Sequence, residues 1–168
     1  MKAFLKAFVY AAEGIWNTIK TQRNFRFHII AAVYVTAFSF FYELSKAEYV
    51  LLILTFSSVM ASEMINTAVE AAVDLHSKEY SRAAKTAKDA AAGAVLVTAV
   101  FAVIVAVILF LDFDVIKEII EYFSENIPQL IGLALSVPVS VAFVAKFGSK
   151  TDSKIGSKTE RNKYGDKK

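Results

Sequence analysis

The sequence predicts an all-α integral membrane protein, because 56% of its 168 residues are hydrophobic and its mean hydropathy is +0.47. The apolar residues come in four blocks of near-membrane length, and a chain in lipid must satisfy its backbone polar groups within helices. We expect an N-terminal amphipathic surface helix, a core of three spans, and an extension with a fourth transmembrane helix. The predicted boundaries are 1–26 for the surface helix, 27–111 for the core, 112–147 for the extension and 148–168 for a basic disordered tail.

The first segment is predicted to lie along the membrane surface and not to cross it. Its apolar residues recur at helical spacing between residues 3 and 24, while charged and amide side chains take the opposite side. Trp16 falls on the apolar face, where an indole suits the depth of the lipid headgroups. The same pattern also fits a helix packed against the rest of the protein, and the two interpretations are compatible.

The four apolar blocks differ in how well they match a bilayer, whose hydrocarbon core takes about 20 helical residues. They cover Phe27–Leu44, Tyr49–Ile65, Ala90–Leu111 and Ile127–Phe147. The first two are short and need flanking aromatic residues or local thinning of the bilayer. Pro138 predicts a kink in the fourth block. A charged connector, 75–88, and an acidic segment, 112–126, separate the last three blocks.

Basic residues predict the orientation of the chain. If the N-terminus is cytoplasmic and every block crosses, 17 of the 19 Lys and Arg residues lie on the cytoplasmic side, in agreement with the positive-inside rule. Lys46 and Lys117 are the two that then lie outside. We therefore expect a multi-pass protein of the cytoplasmic membrane whose N-terminus and functional site face the cytoplasm.

The composition excludes several chemistries. The sequence contains no cysteine, which rules out disulfides, iron–sulfur clusters and thiol catalysis. Its two histidines, His28 and His76, show no metal-ligand spacing. The sequence also has none of the glycine-rich phosphate loops, kinase signatures or hydrolase signatures of soluble enzymes.

A polar stripe at the end of the second block carries the strongest functional signal. The stripe consists of Glu63, Asn66, Glu70 and Asp74. At about 100° per residue, a helix places all four within an arc of about 80°. Such groups could merely fix helix packing, but carboxylates this close repel one another unless a cation joins them. Mg²⁺ with a phosphate suits them, because Mg²⁺ takes oxygen ligands and is usually held by one or two carboxylates.

Basic residues near the start of the third block complement this stripe. Lys85 and Lys88 lie about one helical turn apart, and Asp89 follows directly. A lysine at the mouth of a span can reach phosphate oxygens as a point charge. Membrane anchoring is sufficient to explain Lys78 and Arg82 in the connector.

The stretches SEMINTAVEAAVDL and AKTAKDAAAGAVL resemble the small prokaryotic diacylglycerol kinase and undecaprenol kinase family, over about residues 4–111. RNFRFHIIAA is similar to the start of the first span in its Gram-positive branch. The resemblance implies an ATP- and Mg²⁺-dependent kinase that phosphorylates a lipid hydroxyl at the inner membrane surface. It also implies a three-span lipid kinase core assembled as a homotrimer, with active sites shared between neighbouring subunits. The extension beyond Leu111 has no role in this resemblance.

The resemblance also assigns roles to individual residues. Glu63 matches the catalytic acid–base position, and Glu70 matches a contact to Mg²⁺ and ATP. Asn66 and Asp74 match supporting positions of the motif. The positions that meet or line the nucleotide are Tyr10, Glu79, Tyr80, Lys88 and Asp89.

Gln22 departs from the family pattern, which usually has a Glu sharing the metal with the residue that matches Glu70. Gln22 keeps a carbonyl oxygen for the metal and nucleotide but lacks the charge. We therefore expect weaker metal binding unless another carboxylate substitutes.

The predicted function is transfer of the γ-phosphate of ATP to the hydroxyl of undecaprenol at the inner membrane surface. Diacylglycerol is the alternative substrate, because no pocket residue in the sequence separates the two lipids. A non-enzymatic membrane subunit whose carboxylates bind a cation is a third interpretation. The expected partners are a membrane lipid alcohol, ATP, the bilayer and further copies of the chain, with no nucleic acid.

Overall fold

The computed structural model describes residues 2–76 and 81–146, which form six α-helices and no strand. The helices are α1 Lys2–Thr21, α2 Arg23–Ser39, α3 Lys46–His76, α4 Arg82–Phe110, α5 Phe113–Glu125 and α6 Ile127–Lys146. This arrangement confirms the predicted all-α fold. The predicted disordered tail lies outside the described residues.

Three helices in the described part of the chain are long and apolar enough to cross a membrane. These candidate spans are Lys46–Leu75, Arg82–Phe110 and Ile127–Ala145. The first predicted block, Phe27–Leu44, differs from the helix observed there, because α2 begins four residues earlier and ends at Ser39. With 17 residues, α2 is at the short end of the range that spans a bilayer. Its crossing stays a prediction.

Helix α3 continues well past the predicted end of its block at Ile65. Its start is fixed by a capping box, in which the Ser45 amide donates to Glu48 Oε2 at 2.7 Å and the Glu48 amide donates to Ser45 Oγ at 3.3 Å. Its 31 residues correspond to about 46 Å. That exceeds the roughly 30 Å of a hydrocarbon core. A layer of that thickness that begins at Lys46 therefore ends before Glu70 and Asp74, the last two carboxylates of the polar stripe.

The helices pack with a small buried core. Helices α3 and α4 form the most extensive pair, and α2 packs against both α3 and α6. The buried hydrophobic side chains are Phe25, Leu52 and Val59. Most other large apolar side chains on the spans are exposed, including Leu96, Phe101 and Ile108 on α4, as suits helices that face lipid or neighbouring subunits.

Helix α1 leaves most of its apolar residues exposed, including Phe4, Phe8 and Trp16. Only its C-terminal part is held closely, where the Thr18 side chain is buried. This exposure favours the surface interpretation of the amphipathic pattern over packing against the protein, and the membrane location itself remains a prediction.

The extension contributes a short helix and a long one. The segment predicted only as acidic is the amphipathic helix α5, whose start is capped by Asp112 through the amides of Asp114 and Val115. An aromatic cluster joins α5 to the C-terminal end of α2 and comprises Phe38, Phe41, Tyr122 and Phe123. Helix α6 then continues as one helix through Pro138.

Candidate active site

Glu63 lies at the centre of the site. It is 3% exposed on α3, and its Oε1 is 3.7 Å from Nε2 of His28 on α2. The side chain of Asn24 on α2 also interacts with the Glu63 carboxylate. A buried carboxylate is costly unless polar groups compensate it. Here the N-terminal turns of α2 supply those groups, so this end of α2 orients Glu63.

The next two members of the polar stripe contact each other. Asn66 Nδ2 donates to Glu70 Oε1 at 3.0 Å, an i, i+4 pair on one helix face. The other end of that amide, Asn66 Oδ1, is buried without a partner among the described residues. Buried polar atoms are nearly always hydrogen-bonded, so this oxygen is suited to coordinate a cation or to accept a hydrogen bond from a ligand.

The fourth member of the stripe joins α3 to α4. Lys88 Nζ lies 2.5 Å from Asp74 Oδ1. The pair is accessible, since the Lys88 and Asp74 side chains are 36% and 66% exposed. Asp89 follows Lys88 on an exposed part of α4. The structure therefore brings the predicted stripe and the predicted lysine together.

Of the remaining predicted site residues that the structure describes, Gln22 lies at the start of α2, two residues before Asn24, and Tyr10 lies farther away on α1. Gln22 is the residue between α1 and α2, and its side chain forms no capping hydrogen bond. Tyr10 is 65% exposed and lies about 18 Å from Gln22 along the axis of α1. Glu79 and Tyr80 lie outside the described residues.

The donor atoms near the stripe are compatible with a magnesium ion. In residues 2–76 and 81–146 no cluster of three or more His, Cys, Asp or Glu side chains could hold a metal. Mg²⁺ does not need such a cluster, because it is commonly bound by one or two carboxylates together with substrate phosphates and water. Glu70 and the unpartnered Asn66 Oδ1 are oxygen donors of that kind.

An apolar groove leads away from Glu63 between α2, α3 and α4. The groove has a volume of about 260 Å³. His28 lines its polar end, and Met60 lies one turn before Glu63 on α3. The rest of the lining is hydrophobic except for Thr55, with alanines from α4 forming much of the far wall. The polar end of this groove is therefore adjacent to the Glu63 carboxylate, which lies 3.7 Å from His28.

His28 and Asn24 contact Glu63 but were not predicted as site residues. His28 shows no metal-ligand spacing, but sequence spacing carries no information about a partner on another helix. A signal was present: Asn24 and His28 are one turn apart at the start of an apolar block. Polar groups at such a position need partners from neighbouring helices.

Comparison with known proteins defines the class. Residues 9–110 match the family described as prokaryotic diacylglycerol kinase. This match covers more than half of the chain, so the protein belongs to that family. With its three apolar helices, membership indicates a multi-pass membrane protein.

Two curated relatives share the central part of the sequence. An undecaprenol kinase of Bacillus subtilis (strain 168) is 44% identical over 75 residues, which are 45% of this chain and 61% of that protein. A diacylglycerol kinase of Synechocystis sp. (strain ATCC 27184 / PCC 6803 / Kazusa) is 44% identical over 71 residues, which are 42% of this chain and 41% of that protein. The aligned part thus spans less than two thirds of either relative.

Proposed function

We propose that the protein is an ATP-dependent lipid kinase that phosphorylates the hydroxyl of a membrane lipid alcohol. The main support is the position of Glu63. This buried carboxylate is 3.7 Å from His28, and His28 also lines the apolar groove. A base beside the polar end of a hydrocarbon site suits an alcohol whose tail stays in lipid.

In the proposed reaction, Glu63 accepts the proton of the lipid hydroxyl as its oxygen attacks the γ-phosphorus of ATP. One O–P bond forms, the bond from the γ-phosphorus to the β-bridging oxygen breaks, and ADP leaves. A positioned general base contributes typically 10²- to 10⁴-fold. Asn24 and His28 hold the carboxylate of Glu63 in place for this transfer.

The phosphates of ATP are proposed to lie along the water-facing part of the stripe. Lys88 is held at the mouth of α4 by Asp74 and offsets the charge of phosphate oxygens, while Asp89 and Tyr10, with Glu79 and Tyr80, are proposed nucleotide contacts. Glu70, together with Asn66 and Gln22, would hold Mg²⁺, which neutralises charge on the transferring phosphoryl group when bound. Positioning and electrostatics are the main requirements of phosphoryl transfer.

Undecaprenol is the proposed substrate. The named activity of the Bacillus subtilis relative supports it. Diacylglycerol is the second candidate, because the Synechocystis relative bears that name and matches with the same identity. Both lipids combine a hydroxyl with long hydrocarbon chains, and an apolar groove accepts either.

A homotrimer with shared sites, and a site that faces the cytoplasm, are further parts of the proposal. The exposed apolar face of α4 supplies a surface that suits neighbouring subunits. Mixing two impaired variants, Glu63→Gln and Lys88→Met, tests the sharing of sites. Activity regained on mixing supports sites built from two subunits, while no recovery in a mixed oligomer supports sites contained within one chain.

The test of the function offers the purified protein undecaprenol and diacylglycerol together in mixed micelles with labelled ATP and Mg²⁺. We expect label mainly in undecaprenyl phosphate, and none with the Glu63→Gln variant. Label mainly in phosphatidic acid would establish the second candidate. Label in neither lipid, from a folded protein that still binds Mg²⁺, would favour the cation-binding subunit.

A further inference from the structure

Arg26, on the first turn of α2, is a fully buried charged residue. It is 1% exposed and forms no ion pair with the described residues. Its guanidinium group instead donates to backbone carbonyls on two other helices. Nη1 donates to Ile19 O at 2.8 Å and Lys20 O at 3.1 Å, while Nε and Nη2 donate to Val144 O at 3.2 Å and 3.1 Å.

These carbonyl groups explain how the charge is tolerated. Ile19 and Lys20 lie in the last turn of α1, and Val144 lies in the last turn of α6. Carbonyls in a last turn have no partner within their own helix, and they carry the negative end of the helix dipole. Arg26 therefore neutralises two helix ends at once and fastens them to each other.

A second set of hydrogen bonds joins α2 to α6 farther along the two helices. The hydroxyl of Tyr34 is hydrogen-bonded to those of Ser136 at 2.7 Å and Ser140 at 3.2 Å. Tyr34 lies eight residues after Arg26, and Ser136 lies eight residues before Val144. The two helices are therefore antiparallel and matched over about 12 Å, which brings the end of α6 to Arg26.

The region that Arg26 fastens also carries part of the candidate active site. Gln22 lies four residues before Arg26, and Asn24, whose side chain interacts with that of Glu63, lies two residues before it. Phe25, which lies between Asn24 and Arg26, is 3% exposed, and its burial anchors the same turn in the protein. A shift of the α1–α2 junction, residues 18–26, therefore moves Asn24 relative to Glu63.

We propose that Arg26 is a positioning residue through which the C-terminal end of α6 holds the α1–α2 junction, and with it Asn24, in register with Glu63. The extension is then a working part of the site, although α6 provides no group to it. The effect on turnover rests on the lipid kinase function proposed above. The mechanical link between α6 and the junction does not depend on that function.

The first experiment measures that link without using activity. Amide hydrogen exchange is followed across residues 18–26 of the full chain in Arg26→Lys and Ala145→Pro. Lysine keeps the charge but not the planar set of donors. A proline in place of Ala145 disfavours helical geometry at Val144 and so displaces its carbonyl. Ala145→Ser is the control, because Ala145 is exposed and serine keeps the backbone donor.

We expect about tenfold faster exchange in the junction for both variants and no change for Ala145→Ser, since the junction loses hydrogen bonds to a charged group. Faster exchange in Arg26→Lys together with wild-type exchange in Ala145→Pro would show that Arg26 binds only α1. That result overturns the role of α6. If Arg26→Lys does not fold, the comparison of Ala145→Pro with Ala145→Ser decides the question.

The second experiment measures turnover. We expect kcat to fall about tenfold in Ala145→Pro and Arg26→Lys, with the KM for ATP within about twofold of wild type, because Asn24 contacts Glu63. In an Asn24→Ala background the same changes should have little further effect, since residues acting through one contact are not additive. Full additivity would overturn positioning through Asn24. If the variants exchange faster in the junction but the wild-type protein has no kinase activity, the link between α6 and the junction is retained and the proposed function is rejected.

Discussion

The ion pair between Lys88 and Asp74 allows a sharp test, because its structural and catalytic contributions differ in size. Its atoms are 2.5 Å apart, but the two side chains are 36% and 66% exposed. Exposed ion pairs contribute about 0.2–1 kcal/mol to stability. Lys88→Met keeps most of the aliphatic length and removes the charge. We therefore expect it to lower the free energy of unfolding by less than about 1 kcal/mol.

The expected loss in ATP use is larger. If Lys88 meets a phosphate oxygen, the variant loses a hydrogen bond between charged groups, worth about 1.5–3 kcal/mol. That range corresponds to a decrease in kcat/KM for ATP of about 10- to 150-fold. The assay is lipid phosphorylation in mixed micelles over a series of ATP concentrations, paired with unfolding in mixed micelles of increasing SDS content.

Asp74→Asn is the matched control, because it breaks the same ion pair and leaves the lysine in place. It should lower stability as little as Lys88→Met does, with a smaller loss of kcat/KM for ATP. The reasoning is refuted if Lys88→Met costs more than about 2 kcal/mol of stability, a loss too large for an exposed pair. It is equally refuted if ATP use by that variant is unchanged.

Three further substitutions probe the proton acceptor, the metal and the lipid. Glu63→Gln should lower kcat by at least about 10²-fold while nucleotide binding persists, because an amide cannot accept the proton; turnover and ATP binding are measured separately. Gln22→Glu should reduce the Mg²⁺ concentration needed for half-maximal activity, since it adds a carboxylate to the proposed metal ligands Glu70 and Asn66; a Mg²⁺ titration measures this. Ala99→Leu should raise the KM for the lipid several-fold and leave that for ATP unchanged, because it fills part of the 260 Å³ groove.

The controls at Glu63 and Ala99 are conservative changes at the same positions. Glu63→Asp keeps a carboxylate on a shorter side chain, and its activity should exceed that of Glu63→Gln. Ala99→Ser adds little volume and should behave as wild type. Substantial activity in Glu63→Gln would remove its role as the base, and an unchanged Mg²⁺ titration in Gln22→Glu would remove Gln22 from the metal site. An unaltered KM for the lipid in Ala99→Leu would place the substrate outside the groove.

The fold could largely be predicted because bilayer thickness and hydrophobic blocks constrain helices strongly. Helix ends were less predictable, since they depend on polar contacts and not on hydropathy. Helix α3 shows this clearly: its apolar block ends near Ile65, yet the helix continues to His76. Helix α5 shows a different case, because it was expected only as an acidic segment, yet its aromatic residues pack against Phe38 of α2 and Phe41 in the turn after α2.

The candidate site was predictable along one helix but not between helices. Periodicity alone placed Glu63, Asn66, Glu70 and Asp74 on one face of α3, where the structure has Asn66 bonded to Glu70. The partners of Glu63 on α2 could not be found in this way, because periodicity carries no information on which helix lies opposite. For the same reason, the sequence alone does not distinguish Arg26 from the other basic residues near the predicted membrane surface. Its hydrogen bonds to α1 and α6 are evident only from the structure.

The length of α3 explains why its carboxylates are spread over three turns. Counted from Lys46, Glu63 lies about 26 Å along the axis and Asp74 about 42 Å. Relative to a hydrocarbon layer of roughly 30 Å that begins at Lys46, Glu63 therefore falls within the layer and Asp74 falls beyond it. In the proposed reaction, a lipid hydroxyl from the apolar layer meets a triphosphate from water, and a single helix that crosses the boundary can carry groups for both. The proposed roles require a buried base and an accessible phosphate-binding lysine, and the structure has Glu63 buried and Lys88 partly exposed.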